Sequence, residues 1–147
     1  MNAEVFIDTN VFLYSLSDNP QEQAKAHRAR QLLLKENWGW SAQVAGEFYS
    51  VATSPKRQFR LAPSLARQFV ENWLTFPTAM LDTATVREAL EISEAFRISY
   101  WDSAIIAAAR QLECHKVFSE DLSNGQSYHG VLVVNPFYES DSEVLRS

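Results

Sequence analysis

Apolar residues follow two rhythms along this chain. Short apolar runs bounded by polar residues read as strands at residues 4–7, 38–42, 80–81, 115–119 and 131–135. Between them, apolar positions recur at intervals of three and four, which is helical spacing, over residues 10–17, 21–37, 42–54, 65–76, 83–98 and 99–113. In the second helix the apolar positions include Ala24, Ala26 and Leu32 to Leu34, and in the fifth Val86, Leu90 and Phe96. The punctuation agrees with this division. Ser17-Asp18-Asn19-Pro20 breaks the first helix, Pro55 closes the third, and Pro136 stops the last strand. Ser41 and Ser64 stand where helix caps are expected, and residues 54–64 and 120–130 read as loops. Strands alternating with helices imply an α/β sandwich with a mostly parallel central sheet flanked by helices.

The totals narrow the class. A chain of 147 residues with 46% hydrophobic and 21% charged positions fits one domain with a real core, here residues 1–138, followed by a polar tail at 139–147 that is expected to fray. There is no repeat, low-complexity segment or linker. The net charge of −5 does not advertise a nucleic-acid surface, so such a partner needs a local basic patch or bound cations. Cys114 is the single cysteine and has no internal disulfide partner, which fits a reducing compartment. No apolar run is long enough to span a bilayer and no signal-peptide pattern opens the chain, so the expected location is cytoplasmic.

Four acids stand where acids are awkward. Asp8 follows the apolar run Val5-Phe6-Ile7 directly, with Thr9 and Asn10 behind it. Asp, Thr and Asn suit a turn or a helix cap, but the carboxyl end of a parallel strand is also where open α/β sheets place their ligands. Glu47 shares a helical stripe with Val44, Phe48 and Val51, so it either faces inward with a partner or reaches solvent from the stripe's edge. Asp102 lies on the face of Ile105, Ile106 and Ala109, and it also completes a capping box with Ser99. Asp121 comes just past the strand at 115–119, in a loop rich in turn residues, with Glu120 beside it as a possible substitute. In a parallel sheet these places converge on one edge, near the starts of helices that follow strands or face the sheet. Four carboxylates in one pocket repel unless some are protonated or a cation joins them. Hard oxygen donors select Mg²⁺ or Mn²⁺, and His27, His115 and His129 are too scattered to build a competing site.

These segments resemble a known family. "FIDTNVFLY", "AQVAGEFYSV", "SYWDSAIIAAA" and "VFSEDLSNGQ…VLVVNPF" are similar, in order, to the acidic motifs of PIN-domain proteins, most of all the VapC toxins of toxin–antitoxin pairs. The likeness runs from Val5 to Phe137. It implies a three-layer PIN-like fold and a Mg²⁺- or Mn²⁺-dependent ribonuclease, usually a homodimer, held inactive by a small antitoxin. Asp8, Glu47 and Asp102 fall on the family's acids, and Asp121 on a fourth that the family varies. Thr9 matches a hydroxyl beside the first acid, and Ser119 the Ser/Thr two residues before the last.

Other residues bear on a nucleic-acid reading. Lys56, Arg57 and Arg60 gather in the loop after the Glu47 helix, where they either steer an RNA backbone or are merely solvated. Trp38, Trp40 and Tyr100 are stacking candidates that also suit a core, and Trp101 is expected in the core. Phe12, Leu13 and Leu32 to Leu34 are open between core and a partner surface. Two other enzyme or signalling classes fit worse. A receiver domain wants paired acids at the first strand and a Lys at the last, and a haloacid-dehalogenase phosphatase wants Asp-x-Asp where this chain has Asp8-Thr9-Asn10. A PIN-fold scaffold that binds RNA or protein without cleaving it is the remaining alternative.

Overall fold

The computed structural model describes residues 2–138, so the 139–147 tail lies outside the described residues. Its strands are β1 (Val5–Ile7), β2 (Trp38–Ser41), β3 (Thr78–Ala79), β4 (Lys116–Phe118), β5 (Ser127–Tyr128) and β6 (Val131–Val134). The helices are α1 (Thr9–Ser15), α2 (Gln23–Lys35), α3 (Ala42–Ala52), α4 (Pro63–Trp73), α5 (Thr83–Phe96) and α6 (Tyr100–Gln111), with a 3-10 turn at Pro20–Glu22. The sheet order is β3-β2-β1-β4-β6-β5. All pairings are parallel except β5 with β6. From β1 the chain first builds outward through β2 and β3, then returns to add β4 on the other side of β1. The gap between the carboxyl ends of β1 and β4 is therefore the topological switch point, where α/β sheets bind ligands.

Alternation along β2 sorts the two faces. Trp38 and Trp40 are buried on one face, where the Phe12 ring sits 5.3 Å and 4.9 Å from them and 4.9 Å from Trp73 of α4. Phe48 of α3 closes on Trp73 at 5.1 Å. This aromatic cluster anchors α1, α3 and α4 to the sheet, and edge-on contacts of this kind add to the area they bury. Gly39 faces the other way. A Cβ there would come within 2.7 Å of Leu112 Cδ1 and 2.9 Å of the Pro77 carbonyl, so glycine lets the end of α6 lie against β2. Helix α6 is buried from Ser103 to Ala109 and is covered in turn by α5, which makes the fold three layers.

Several expectations move. The third strand is Thr78–Ala79, and Met80 and Leu81 lie beyond it, exposed. Trp40 draws the chain in two residues early, by its N–H to the Pro77 carbonyl at 3.0 Å and its indole N–H to Thr78 Oγ1 at 3.0 Å. Helix α4 begins at Pro63 rather than after a Ser64 cap, because proline's missing N–H is no loss in a first turn. The loop at 120–130 holds the short antiparallel strand β5, framed by Gly125 and Gly130 at φ +86° and +88°. Ala26 and Leu32 are buried as expected, whereas Ala24, Leu34 and Leu90 are exposed, and α2 and α5 also bury Ala29, Thr85, Ala89 and Ile92.

Candidate functional site at the switch point

Asp8 ends β1 and caps α1 at once. Its Oδ1 accepts the Thr9 N–H at 2.7 Å, and its Oδ2 accepts the Ser119 hydroxyl at 2.8 Å. Ser119 follows β4 directly and is fully buried, so this bond joins the two strands that flank the switch point. Ser119 Oγ also accepts the N–H groups of Asp121 and Leu122 at 3.2 Å and 3.3 Å, which wraps the start of the loop around it. Asp8 is mostly enclosed by protein. Burial pushes its carboxyl from the ordinary 3.8 up to about 6; the two donated bonds oppose the rise, and the charges of Glu47 and Asp121 add to it.

The other acids arrive from different elements. Ser41 ends β2 and caps α3 by accepting the Val44 N–H at 3.1 Å, which sets the helix carrying Glu47. Glu47 is exposed, so it belongs to the edge of its stripe and not to the inward face, yet its charge still reaches Asp8. Asp121 is exposed too, and its Oδ2 accepts the Asn10 side-chain N–H at 2.9 Å. Asp102 is half-buried at the first turn of α6, where its N–H donates to Ser99 Oγ at 3.1 Å, so Ser99 caps the helix as expected, and the Ser99 cap is the half of the box that forms. The preceding element is α5, not a strand. The far end of α6 is tied to the amino edge of the sheet, since Ala3 N–H donates to the Leu112 carbonyl at 3.2 Å. A helix of 12 residues spans about 18 Å, which brings Asp102 to the opposite, carboxyl edge. All four acids thus lie toward one edge of the sheet, Asp8 and Asp102 partly enclosed and Glu47 and Asp121 exposed; the charges that act on Asp8 are those of Glu47 and Asp121.

The sequence profile of the PIN domain matches residues 5–123, which takes in all four acids. The chain belongs to the PIN-domain family. Among solved structures it is similar in fold to a toxin–antitoxin complex from Klebsiella pneumoniae, with a TM-score of 0.67 and 15% identity over 90% of this chain and 97% of that one. It is similar also to FitAcB from Neisseria gonorrhoeae, with a TM-score of 0.61 and 19% identity over 91% and 99%. A third is VapC20 from Mycobacterium tuberculosis, a sarcin–ricin-loop-cleaving toxin, with a TM-score of 0.58 and 15% identity over 80% and 91%. No curated sequence relative matches the chain.

Whether this PIN domain's edge suits a divalent cation turns on Asp8 and Thr9. Among the described residues, no three acid, histidine or cysteine side chains already form a finished cage. The donors nevertheless fit. Asp8 carries a carboxyl made uncomfortable by burial and by like charges, and a cation relieves both. Thr9 is buried, and its Oγ1 is the one buried side-chain polar atom among the described residues with no hydrogen-bond partner. Such an orphan costs about 1–3 kcal/mol. A hard cation is the species that oxygen donors of this kind would suit.

The remaining expectations divide. Lys56 and Arg60 are exposed, and Arg57 is half-buried beside a shallow surface dent of about 10 Å³ that Leu13, Leu16, Phe48 and Phe59 help to line. This trio lies past the end of α3, remote from the Ser41 cap by the helix length. Trp38 and Trp40 are core, whereas Trp101 is 60% exposed and not core, because its position in the first turn of α6 points off the face that packs on the sheet. Phe12, Leu13 and Leu32 are core, and Leu34 is 85% exposed. Burial pushes the Cys114 thiol up to about 12, which leaves it unreactive. Sequence reasoning missed Asn10 as the partner of Asp121. The only hint was its place two residues after Asp8, which a turn explains equally well.

Proposed function

We propose that this chain is a Mg²⁺- or Mn²⁺-dependent endoribonuclease and acts as the toxin of a toxin–antitoxin pair. The observation that carries the reading is Asp8, an enclosed carboxylate at the switch point of a PIN domain, held by Thr9 and Ser119 and flanked by the charges of Glu47 and Asp121. Asp8 and Asp102 are the main ligands, and Glu47 and Asp121 complete the set. When bound, such an ion lowers the pKa of water and balances charge on a phosphodiester. Ser119 and the Thr9 N–H hold the Asp8 carboxylate in one rotamer so that both oxygens stay aimed, and the buried Thr9 hydroxyl supports the site from behind the carboxylate. Lys56, Arg57 and Arg60 offset the chain's negative charge for the approaching RNA.

The partners follow from the same reading. The toxin–antitoxin complexes among the structural neighbours support a small antitoxin as partner. The apolar surface around Leu16, Leu33, Leu34 and Trp73, an open hollow of about 330 Å³, offers it a seat. A homodimer working in the cytoplasm completes the proposal; among the described residues no helix is long and apolar enough to cross a membrane.

The test is cleavage of a mixed small-RNA pool by the purified protein with Mn²⁺ or Mg²⁺, with chelator, and with Asp102→Asn in parallel. Metal-dependent cleavage that vanishes in the variant is the expected result. Cleavage that persists in Asp102→Asn defeats the assignment. If no RNA is cut while Mn²⁺ still binds, the catalytically silent PIN-fold scaffold replaces the enzyme.

A further inference from the structure

Glu120 and Asp121 are adjacent acids at the mouth of the site, and the structure treats them differently. Glu120 has both oxygens engaged. Its Oε1 accepts the Tyr14 hydroxyl at 2.8 Å, and its Oε2 accepts the Lys25 ammonium at 2.7 Å. Lys25 Nζ also donates to the Tyr14 hydroxyl at 3.3 Å, and it lies 4.9 Å from the centre of the Tyr14 ring and 5.6 Å from that of Phe137. The Tyr14 and Phe137 rings meet edge to face at 4.9 Å. The ion pair is only partly exposed, at 40% for the Lys25 side chain and 24% for Glu120, and two rings hold its ammonium, so it is more ordered than a surface pair.

The three consecutive residues of this loop are thus each tied to a different anchor. Ser119 binds Asp8, Glu120 binds Tyr14 of α1 and Lys25 of α2, and Asp121 receives the Asn10 amide. We infer that Lys25, with Tyr14, is a positioning clamp that withdraws Glu120 from the cation site and thereby sets Asp121 as the acid that faces it. Lys25 touches neither cation nor RNA in this role; it acts through the backbone it immobilises at Glu120. The inference rests on the cation-site reading above.

The sign of one measurement separates the clamp from simple electrostatics. Removing a positive charge near a cation site tightens cation binding by Coulomb's law alone, and a released Glu120 adds a further acid. Loss of positioning does the reverse. Mn²⁺ affinity is therefore measured by titration calorimetry on the full chain, for wild type, Lys25→Met, Lys25→Arg and Tyr14→Phe, with melting curves as the fold control. Methionine keeps an unbranched apolar stem against the two rings, and arginine keeps the ion pair.

The expected result is Mn²⁺ binding about three- to tenfold weaker in Lys25→Met, about twofold weaker in Tyr14→Phe, and near wild type in Lys25→Arg. Any RNA cleavage falls in kcat with KM for RNA nearly unchanged. Equal or tighter Mn²⁺ binding in Lys25→Met overturns the clamp. A rise in KM for RNA with metal affinity intact overturns it too, because Lys25 then contacts phosphate directly. Failure of the wild-type chain to bind Mn²⁺ defeats the cation-site reading first and the clamp with it, and it is seen before any variant is made.

Discussion

Asp8 and Asp82 hold the same local office and have opposite characters. Each is an extended residue that caps a helix, α1 for Asp8 and α5 for Asp82. Asp82 is exposed and accepts both the N–H and the hydroxyl of Thr85, at 2.9 Å and 2.8 Å, and these bonds hold its carboxyl below the usual range. Asp8 also accepts two hydrogen bonds, but burial and neighbouring acids outweigh them and its carboxyl rises to about 6. A cap that serves only its helix sits in water, where ionisation is easy. A carboxylate that is capped, enclosed and set among like charges is poorly suited to stabilising its helix, and that mismatch is what the proposed role of Asp8 as a ligand accounts for.

The largest expected effect breaks the two apart. Asp8→Asn removes a proposed ligand while keeping a side chain that accepts the Thr9 N–H. Cleavage is expected to fall about a thousandfold or more, the scale of several kcal/mol of charge stabilisation. The metal-free variant should nonetheless be more stable than wild type near neutral pH, by about 1–3 kcal/mol, because the charge that burial disfavours is gone. Denaturant unfolding and the RNA assay on one preparation measure both. A variant that loses activity and stability together would recast Asp8 as an ordinary structural cap.

Ser119→Ala tests the next layer. It deletes the hydroxyl that holds Asp8 Oδ2 and that receives the Asp121 and Leu122 N–H groups. Cleavage is expected to drop about ten- to hundredfold, with Mn²⁺ affinity weakened in step. Restoration of most activity by Ser119→Thr, which keeps the hydroxyl, would tie the loss to that hydrogen bond. Unchanged activity in Ser119→Ala would mean that Asp8 needs no such support.

Much of this contrast was legible in the sequence, and what was not has identifiable causes. The order of strands and helices followed from apolar rhythm, and the acid after Val5-Phe6-Ile7 stood out because strands seldom hand over to a carboxylate. The Ser99 cap on the Asp102 N–H was readable because it is local. Interactions across the chain were not. Asn10 meets Asp121, and Lys25 meets Glu120, across separations of 111 and 95 residues that no periodicity encodes. Trp101 was misjudged because residue type argued for burial while its place in the helix's first turn decided for solvent. Strand β5 escaped because two residues between glycine turns carry no alternation to detect. Glu47 shows the limit of a stripe: spacing located the face within one position, and a long side chain at its edge reached water.

The smallest expected effect comes from the exposed partner in the comparison. Asp82→Ala removes two hydrogen bonds from the start of α5, far in role from the chemistry. Melting temperature should fall by about a few degrees with no change in cleavage. Its pH profile is the sharper reading. The Asp82 carboxyl is held below its unfolded value of 3.8, so its stabilisation is present above that value and is lost as pH falls through the lower folded value. Asp8 has the opposite sign. Its folded value of about 6 exceeds the unfolded 3.8, so the native state takes up the proton first, and the associated stability is full below 3.8 and is lost as pH rises to about 6. The difference between wild type and Asp82→Ala should therefore shrink in acid, while the gain shown by metal-free Asp8→Asn should be absent near pH 3.8 and reach its plateau above about 6. Parallel profiles for the two variants would show that the enclosure of Asp8 has no energetic consequence, and the case for it as the centre of the site would lose its physical basis.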